Sequence, residues 1–228
     1  MLKVDLHLHS SYSRDCLTSL ETIIVACRRR GLGAIAVTDH NTIAGALALR
    51  EIAPFPVIVG EEINTSRGEM LAYFLEEEIP PGLSPQETIA CIREQGGVVG
   101  VSHPFDRLRQ EAMREEALME IIDQVDALEV FNSRIFFPDD NLQAEKLAYE
   151  RGILCTAGSD AHTSFEIGRA WMEMPTFDAK DKESFLAALA QGRVCGRLSP
   201  PWVHFVTSLV KLYIRVSRIA YRKPLDTR

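Results

Sequence analysis

Short apolar runs rich in β-branched residues alternate along the chain with longer segments of helical period, and this alternation constrains the fold more than any other feature of the sequence. It argues for βα units and a mainly parallel sheet. Strands are expected at residues 3–7, 34–38, 56–63, 70–75, 98–102, 127–131 and 153–157, and helices at 19–30, 43–52, 85–95, 109–123, 141–151 and 182–191. Gly31, Gly96 and Gly152 stand where three of those helices should stop. Seven strand runs suit a closed or nearly closed α/β barrel. The chain has 228 residues, 46% of them hydrophobic, so one large domain with an ample core is expected. Pro80–Pro81 reads as a loop and Pro200–Pro201 as a joint, which sets a barrel over residues 1–199 before a C-terminal helix over 200–228.

The chain contains six histidines. Five of them, His7, His9, His40, His103 and His162, fall at or just beyond the C-terminal end of an expected strand. Carboxylates follow the same rule: Asp15 in the first loop, Asp39 beside His40, Glu61 and Glu62 ending the third strand, and Asp160 two residues before His162. In an α/β barrel those strand ends meet on one face. So many imidazoles and carboxylates in one cleft would carry costly desolvated charge unless cations lay between them. Two or three divalent ions are the economical reading, and a nitrogen and oxygen donor set without thiolate suits Mn, Zn or Fe. His7-x-His9 fits as well, because alternate residues of a strand share a face.

Five motifs in order, Asp5-Leu-His7-Leu-His9-Ser10, Thr38-Asp39-His40-Asn41, Gly60-Glu61-Glu62-Ile63, Ser102-His103-Pro104 and Gly158-Ser159-Asp160-Ala161-His162, resemble those of the polymerase and histidinol phosphatase (PHP) family, and in particular its small stand-alone phosphoesterases. The resemblance implies a distorted (β/α)7 TIM-like barrel. It implies one metal held by His7, His9, Glu62 and Asp160, a second shared through Glu62 with His103, and a third held by Asp15, His40 and His162. Asp15 stands where some members have histidine. Asn132 stands where many members supply a histidine to the second metal, and would offer that ion a neutral oxygen. Strand alternation lets only one of Glu61 and Glu62 face the pocket, and the Gly-x-Glu register favours Glu62. Asp5 and Asp39 are expected either to orient imidazoles or to cap strand ends.

The expected activity is hydrolysis of phosphate monoesters or short phosphodiesters by a hydroxide bridged between metals, with nucleotides or short oligonucleotides favoured as substrates. An amidohydrolase-type reaction and a metal-bearing binding module are the alternatives. Arg14, Arg134 and Arg169 are candidates to clamp a phosphate. There is no Gly-x-x-x-x-Gly-Lys phosphate loop and no dinucleotide fingerprint, so no organic cofactor is expected, and no nucleophile elbow around Ser159, so a serine hydrolase is not expected. In the C-terminal segment Lys211, Arg215, Arg218 and Arg222 form a basic face, and Phe205, Leu209, Leu212, Val216 and Ile219 an apolar one. That helix is expected to dock on the barrel or on a second subunit through its apolar face, or else to contact nucleic acid or a membrane surface, and His204 is expected to pack or lie on the surface. A formal net charge of -7 excludes a basic nucleic-acid-coating protein. Five scattered cysteines, no secretory signal and no apolar run of membrane-spanning length lead to the expectation of a reduced, cytoplasmic protein.

Overall fold

The computed structural model describes residues 1–221, with side chains through residue 216. Within them nine strands form one sheet. β1 (Leu2–Asp5), β2 (Ala34–Val37) and β3 (Val57–Thr65) are parallel neighbours, as are β5 (Val98–Val101), β6 (Ala127–Asn132) and β7 (Leu154–Gly158). Between the two sets lies β4 (Gly68–Tyr73), antiparallel to both β3 and β5. The mainly parallel expectation therefore fails at this strand, for a simple reason. Only Ser66 and Arg67 separate the paired residues Thr65 and Gly68, and a two-residue loop can make a hairpin but never the long crossover that parallel pairing needs.

Beyond Asp5 the chain meets the end of β7. Leu6 N–H donates to Ala157 O at 3.3 Å, Asp160 N–H to His7 O at 2.7 Å and His9 N–H to Ala161 O at 3.0 Å. Two strands that were not expected, β8 (Ala170–Met174) and β9 (Arg193–Gly196), continue the sheet antiparallel from the first half of β1. One mouth is thus closed by β1 against β7 and the other is splayed by β8. The result is the expected distorted α/β barrel.

The helices are α1 (Leu20–Arg30), α2 (Ala44–Ile52), α3 (Pro85–Glu94), α4 (Glu115–Ile121), α5 (Pro138–Arg151), α6 (Lys182–Leu189) and α7 (Trp202–Tyr221). Ser19 caps α1 by accepting from Thr22 N–H, and Ser84 with Glu87 forms a reciprocal cap on α3. Gly31 and Gly152 end α1 and α5 in the left-handed conformation. α4 starts at Glu115 and not at 109, because the Asp106 carboxylate accepts from the N–H groups of Leu108 and Arg109 and holds that stretch as a loop. α5 starts three residues earlier than expected, with Pro138 in its first turn.

Alternation along the strands sorts the side chains. In β3, Val57, Val59 and Ile63 join the apolar cluster under the helices, whereas Ile58 joins a second cluster around Tyr73 and Phe185. In β4, Met70 and Ala72 lie in the first cluster and Leu71 and Tyr73 in the second; in β6, Leu128 and Val130 lie in the first and Ala127 in the second. Glu62, Glu69 and Glu129 fall on the register of the second set. They extend its face towards the closed mouth.

α7 docks by a different face from the one expected. Phe205, Leu209, Leu212 and Val216 are exposed. Val203 and Thr207 are buried, and Val206, Val210 and Ile214 are half-buried. The rotation is set at the start of the helix, where Ser199 N–H donates to Ser133 O at 2.6 Å and Arg134 Nη2 donates to Thr207 Oγ1 at 2.9 Å. The largest apolar residues therefore do not define the seam. Arg218 and Ile219 lie outside the described side chains, and Arg222 outside the described residues.

Candidate metal centre

Glu62 is the hub of the closed mouth. Its Oε2 lies 3.3 Å from His7 Nε2, 3.4 Å from His9 Nε2 and 3.2 Å from His40 Nδ1, and its Oε1 lies 3.0 Å from His103 Nε2. Asp160 Oδ1 stands 3.3 Å from His9 Nε2 and 3.5 Å from His162 Nδ1. Asp15 Oδ2 stands 3.4 Å from His40 Nε2 and 3.2 Å from His162 Nε2. His7, His9, Asp15, His40, Glu62, His103, Asp160 and His162 are thereby brought together from segments spread along the chain. Glu61 points the other way, accepts from Ile79 N–H at 3.0 Å and has its carboxyl pushed up to about 7 by burial.

Close approach is built into the backbone. A Cβ on Gly158 would stand 2.2 Å from His7 Cβ and 2.8 Å from Glu129 Oε1, so only glycine lets β7 pass this near. His103 and Asp160 adopt φ values of 28° and 50°. Each such conformation costs on the order of 1–3 kcal/mol and persists only where surrounding contacts over-determine it. For Asp160 those contacts are the bond to His7 O, the Arg109 guanidinium 2.5 Å from Oδ2 and the Asn132 amide 3.3 Å from the same oxygen.

The charge state follows from packing. Burial alone would raise the Glu62 carboxyl, but His7 and His40 outweigh it and hold the group well below the carboxylate range. Burial lowers His9, yet the Asp160 and Glu62 carboxylates beside its ring win and carry it to about 9. His162 shows the opposite balance: burial, with Arg134 and His9 adding positive charge, outweighs Asp15 and pushes it to about 3. We read the Asp15–His162 pair as carboxylate and neutral imidazole for that reason, with the His162 ring first and the His40 ring second holding Asp15 low against its burial.

Divalent cations fit this arrangement. Asp15 Oδ2, Glu62 Oε2, Glu69 Oε2 and Asp160 Oδ1 are buried and make no hydrogen bond of normal geometry, their nearest nitrogens standing 3.2–3.7 Å away, and a buried oxygen left so costs about 1–3 kcal/mol. Donor atoms of His7, His9 and Glu62 lie within 4.8 Å of one another, as do those of His9, His40 and His162 and those of His40, Glu62 and Glu69.

Three residues of the centre escape sequence reasoning. Glu129 faces His7 Nδ1 at 3.0 Å and so orients that imidazole, and it accepts from the His103 backbone N–H at 2.8 Å, which fixes the backbone there. Its one signal is a lone carboxylate inside an apolar strand. Glu69 stands 3.5 Å from His40 Nδ1 and 3.6 Å from His103 Nε2. It hides because β4 runs backwards, so the residue at its N-terminal end, not its C-terminal end, reaches the mouth. Arg109, expected in a helix, lies 2.8 Å from His103 Nε2 as well as beside Asp160.

Asp5 and Asp39 take the second of their two expected roles, and Arg169 departs from its expected one. Asn132 Oδ1 accepts from Arg134 N–H at 2.9 Å, and its NH2 faces Glu129 and Asp160. Asp5 and Asp39 touch no imidazole ring in the hydrogen-bonded network; Asp5 accepts from the N–H groups of Ser159 and Gly168, and Asp39 takes both the N–H and the hydroxyl of Ser10. They hold backbone in place. Arg169 donates to Leu198 O and lies over the Phe165 ring, away from the cavity above the centre.

That cavity, about 400 Å³ in volume, has Asp15, His40, Glu69 and His162 in its floor and Arg14, Arg109, Arg134, His204 and Lys211 around its walls. The family model described as PHP domain matches residues 5–159, and one described as PHP-associated matches residues 138–194. MJ1587 of Methanocaldococcus jannaschii is 34% identical over 145 residues, 58% of this chain and 82% of that one. The probable phosphatase YcdX of Shigella dysenteriae is 28% identical over 216 residues, 79% of this chain and 87% of that one. Among solved structures, a two-domain protein from Bacteroides vulgatus containing a predicted PHP-like metal-dependent phosphoesterase superimposes with a TM-score of 0.70 at 18% identity, over 86% of this chain; the chain spans 65% of that protein. Fold and site define a metal-dependent hydrolase of the barrel type. The chain belongs to the PHP family.

Proposed function

We propose that this PHP-type metal-dependent phosphoesterase hydrolyses phosphate monoesters or short phosphodiesters, with nucleotides or short oligonucleotides as substrates. The observation that carries the reading is the pairing of a floor of orphaned carboxylate oxygens among imidazoles with a wall of cationic side chains. One divalent ion would be held by His7, His9, Glu62 and Asp160, and another by Asp15, His40 and His162. A further ion beside His103 would draw on Glu62 and Glu69, since Asn132 turns its oxygen to Arg134. Mn, Zn or Fe would suit these donors and would supply nucleophile activation and charge neutralisation on the phosphoryl group.

The chain's own residues do the rest. Glu129 fixes the tautomer and orientation of His7 by facing its Nδ1. Arg14 and Arg134 on the cavity wall supply donors for phosphoryl oxygens in a pocket partly closed to water, where such contacts are strongest. The barrel over residues 1–199 would carry the chemistry, and the segment from residue 200 would complete the cavity. The cysteines, all unpaired, suit a reducing cytoplasmic setting; among the described residues no helix is long and apolar enough to cross a membrane.

The test is phosphate release by Mn-reconstituted protein over nucleoside monophosphates, bisphosphates, short oligonucleotides, sugar phosphates and histidinol phosphate, with chelated protein as control. Metal-dependent release from one class is the expected result. No release from any of them by metal-loaded protein would overturn the reading in favour of amide substrates or a binding role.

A further inference from the structure

The first turns of α7 lie beyond the last residue, 194, that either family model matches, yet they build part of the cavity wall. Pro201, His204, Thr207, Ser208 and Lys211 all line it. The placement is anchored at three levels. Ser199 N–H is bonded to Ser133 O at 2.6 Å, the Ser133 and Ser199 hydroxyls meet at 3.0 Å, Val203 is fully buried, and Thr207 Oγ1 takes a hydrogen bond from Arg134 Nη2 at 2.9 Å. The helix therefore presents one fixed face to the centre while its largest apolar residues point to solvent.

On that face Lys211 reaches inward until its Nζ stands 3.3 Å from Asp15 Oδ2, a buried oxygen at the heart of the centre. Asp15 is the acidic partner found for Lys211 within 4 Å among the described residues. An ion bound at Asp15, His40 and His162 would take over that oxygen and leave the ammonium facing the cavity without an anion. Arg14, Arg109 and Arg134 share the same wall. In a chain of net charge -7 this is a local concentration of positive charge over the floor, and such a cleft attracts and holds anions. A lysine ammonium suits this task, being a compact point charge on a flexible stem.

We infer that Lys211, supplied by a helix outside the family models, is a substrate ligand that binds a terminal phosphoryl oxygen and biases the enzyme towards dianionic phosphate monoesters over monoanionic diesters. The physical reason is charge count: one added cation gains more from a group carrying two negative charges than from a group carrying one. This inference rests on the phosphoesterase reading above and deepens it. Lys211 is a positioning and specificity residue; it neither holds an ion nor moves a proton.

The experiment uses the full-length, Mn-loaded protein and two probes, inorganic phosphate by titration calorimetry and p-nitrophenyl phosphate against a p-nitrophenyl phosphodiester by steady-state kinetics. Lys211→Ala should raise the Kd for phosphate and the KM for the monoester by about tenfold, the scale of one lost charge-assisted hydrogen bond, while kcat stays within about twofold. The diester KM should move far less, Lys211→Arg should restore most of the loss, and Leu209→Ser, on the exposed face of the same helix, should match wild type. Mn content and thermal midpoint should be unchanged in all three variants. Phosphate binding that is the same in wild type and Lys211→Ala would overturn the inference while leaving the phosphoesterase reading intact. So would equal losses on both esters, a fall in kcat at constant KM, or a loss of Mn from Lys211→Ala, which would show the lysine acting through Asp15. Failure of the wild-type protein to bind phosphate at all would take down both readings.

Discussion

The floor and the wall of the cavity are built on opposite plans. The floor and the centre directly beneath it are made of strand ends: Glu62, Glu69 and Glu129 come from β3, β4 and β6, with His7, His9 and Asp160 on the joint between β1 and β7. Its groups are buried and hold one another at 3.0–3.7 Å. The wall is made of loops and of α7: Arg14 and Lys211 on it are exposed, Arg109 is half-buried against the Asp160 carboxylate, and Arg134 is buried and donates to Thr207 Oγ1. Rigidity goes with charge density here: unpaired charge can be tolerated at the solvent-facing wall, but in the floor every misplaced oxygen is a desolvation cost. A floor of this kind has to be organised by the sheet, while a wall can vary with whatever element happens to cover the mouth.

That contrast predicts a steep gradient of mutational effect. His9→Ala or Asp160→Ala should lower turnover by on the order of 10³-fold or more, the range seen when a principal charge-stabilising group is removed, with the fold retained; phosphate release and circular dichroism check both parts. Turnover near wild type in both variants would remove the distinction between floor and wall. Glu129→Gln should leave the donors in place but loosen His7 and His103, and metal affinity should fall about 10–100-fold in a competition titration against a chelator. Arg134→Ala should raise KM by about tenfold or more through loss of charged donors, with some loss of stability because Arg134 also ties down α7 at Thr207. A large fall in metal content in this variant would mean that the wall organises the floor. Glu61→Gln should change turnover by less than about twofold, because its side chain faces the helices and, being raised to about 7 by burial, is already easily neutralised. A loss as large as that of a floor residue would exchange the roles of Glu61 and Glu62.

Much of the floor is legible in the order of residues alone, and the reason is periodicity. Parallel strands place their C-terminal ends on one face, so counting strands gathers His7, His40, Glu62 and His162, and the two-residue repeat separates Glu62 from Glu61. Glu69 breaks that rule because a two-residue hairpin reverses β4. Arg109 is hidden by an apparently helical stretch that the Asp106 carboxylate turns into a loop. Asn132 shows a further limit: a polar residue in the right place can be turned to use its other atom, and only the neighbouring Arg134 N–H decides which.

α7 resists reading for a related reason. Its exposed stripe of Phe205, Leu209, Leu212 and Val216 is the more hydrophobic one, but docking is settled by Val203 and by a hydrogen bond between Thr207 and Arg134, 73 residues apart. What the sequence determined by itself was therefore everything carried by local repetition: the alternation that makes a barrel, the caps that end its helices, and the histidines and carboxylates ranked along its strand ends. What only the tertiary structure decided was direction and rotation, namely which way β4 runs, which face α7 turns to the mouth and which atom of Asn132 looks inward. Those choices depend on contacts between distant segments, and such contacts leave no period in a sequence.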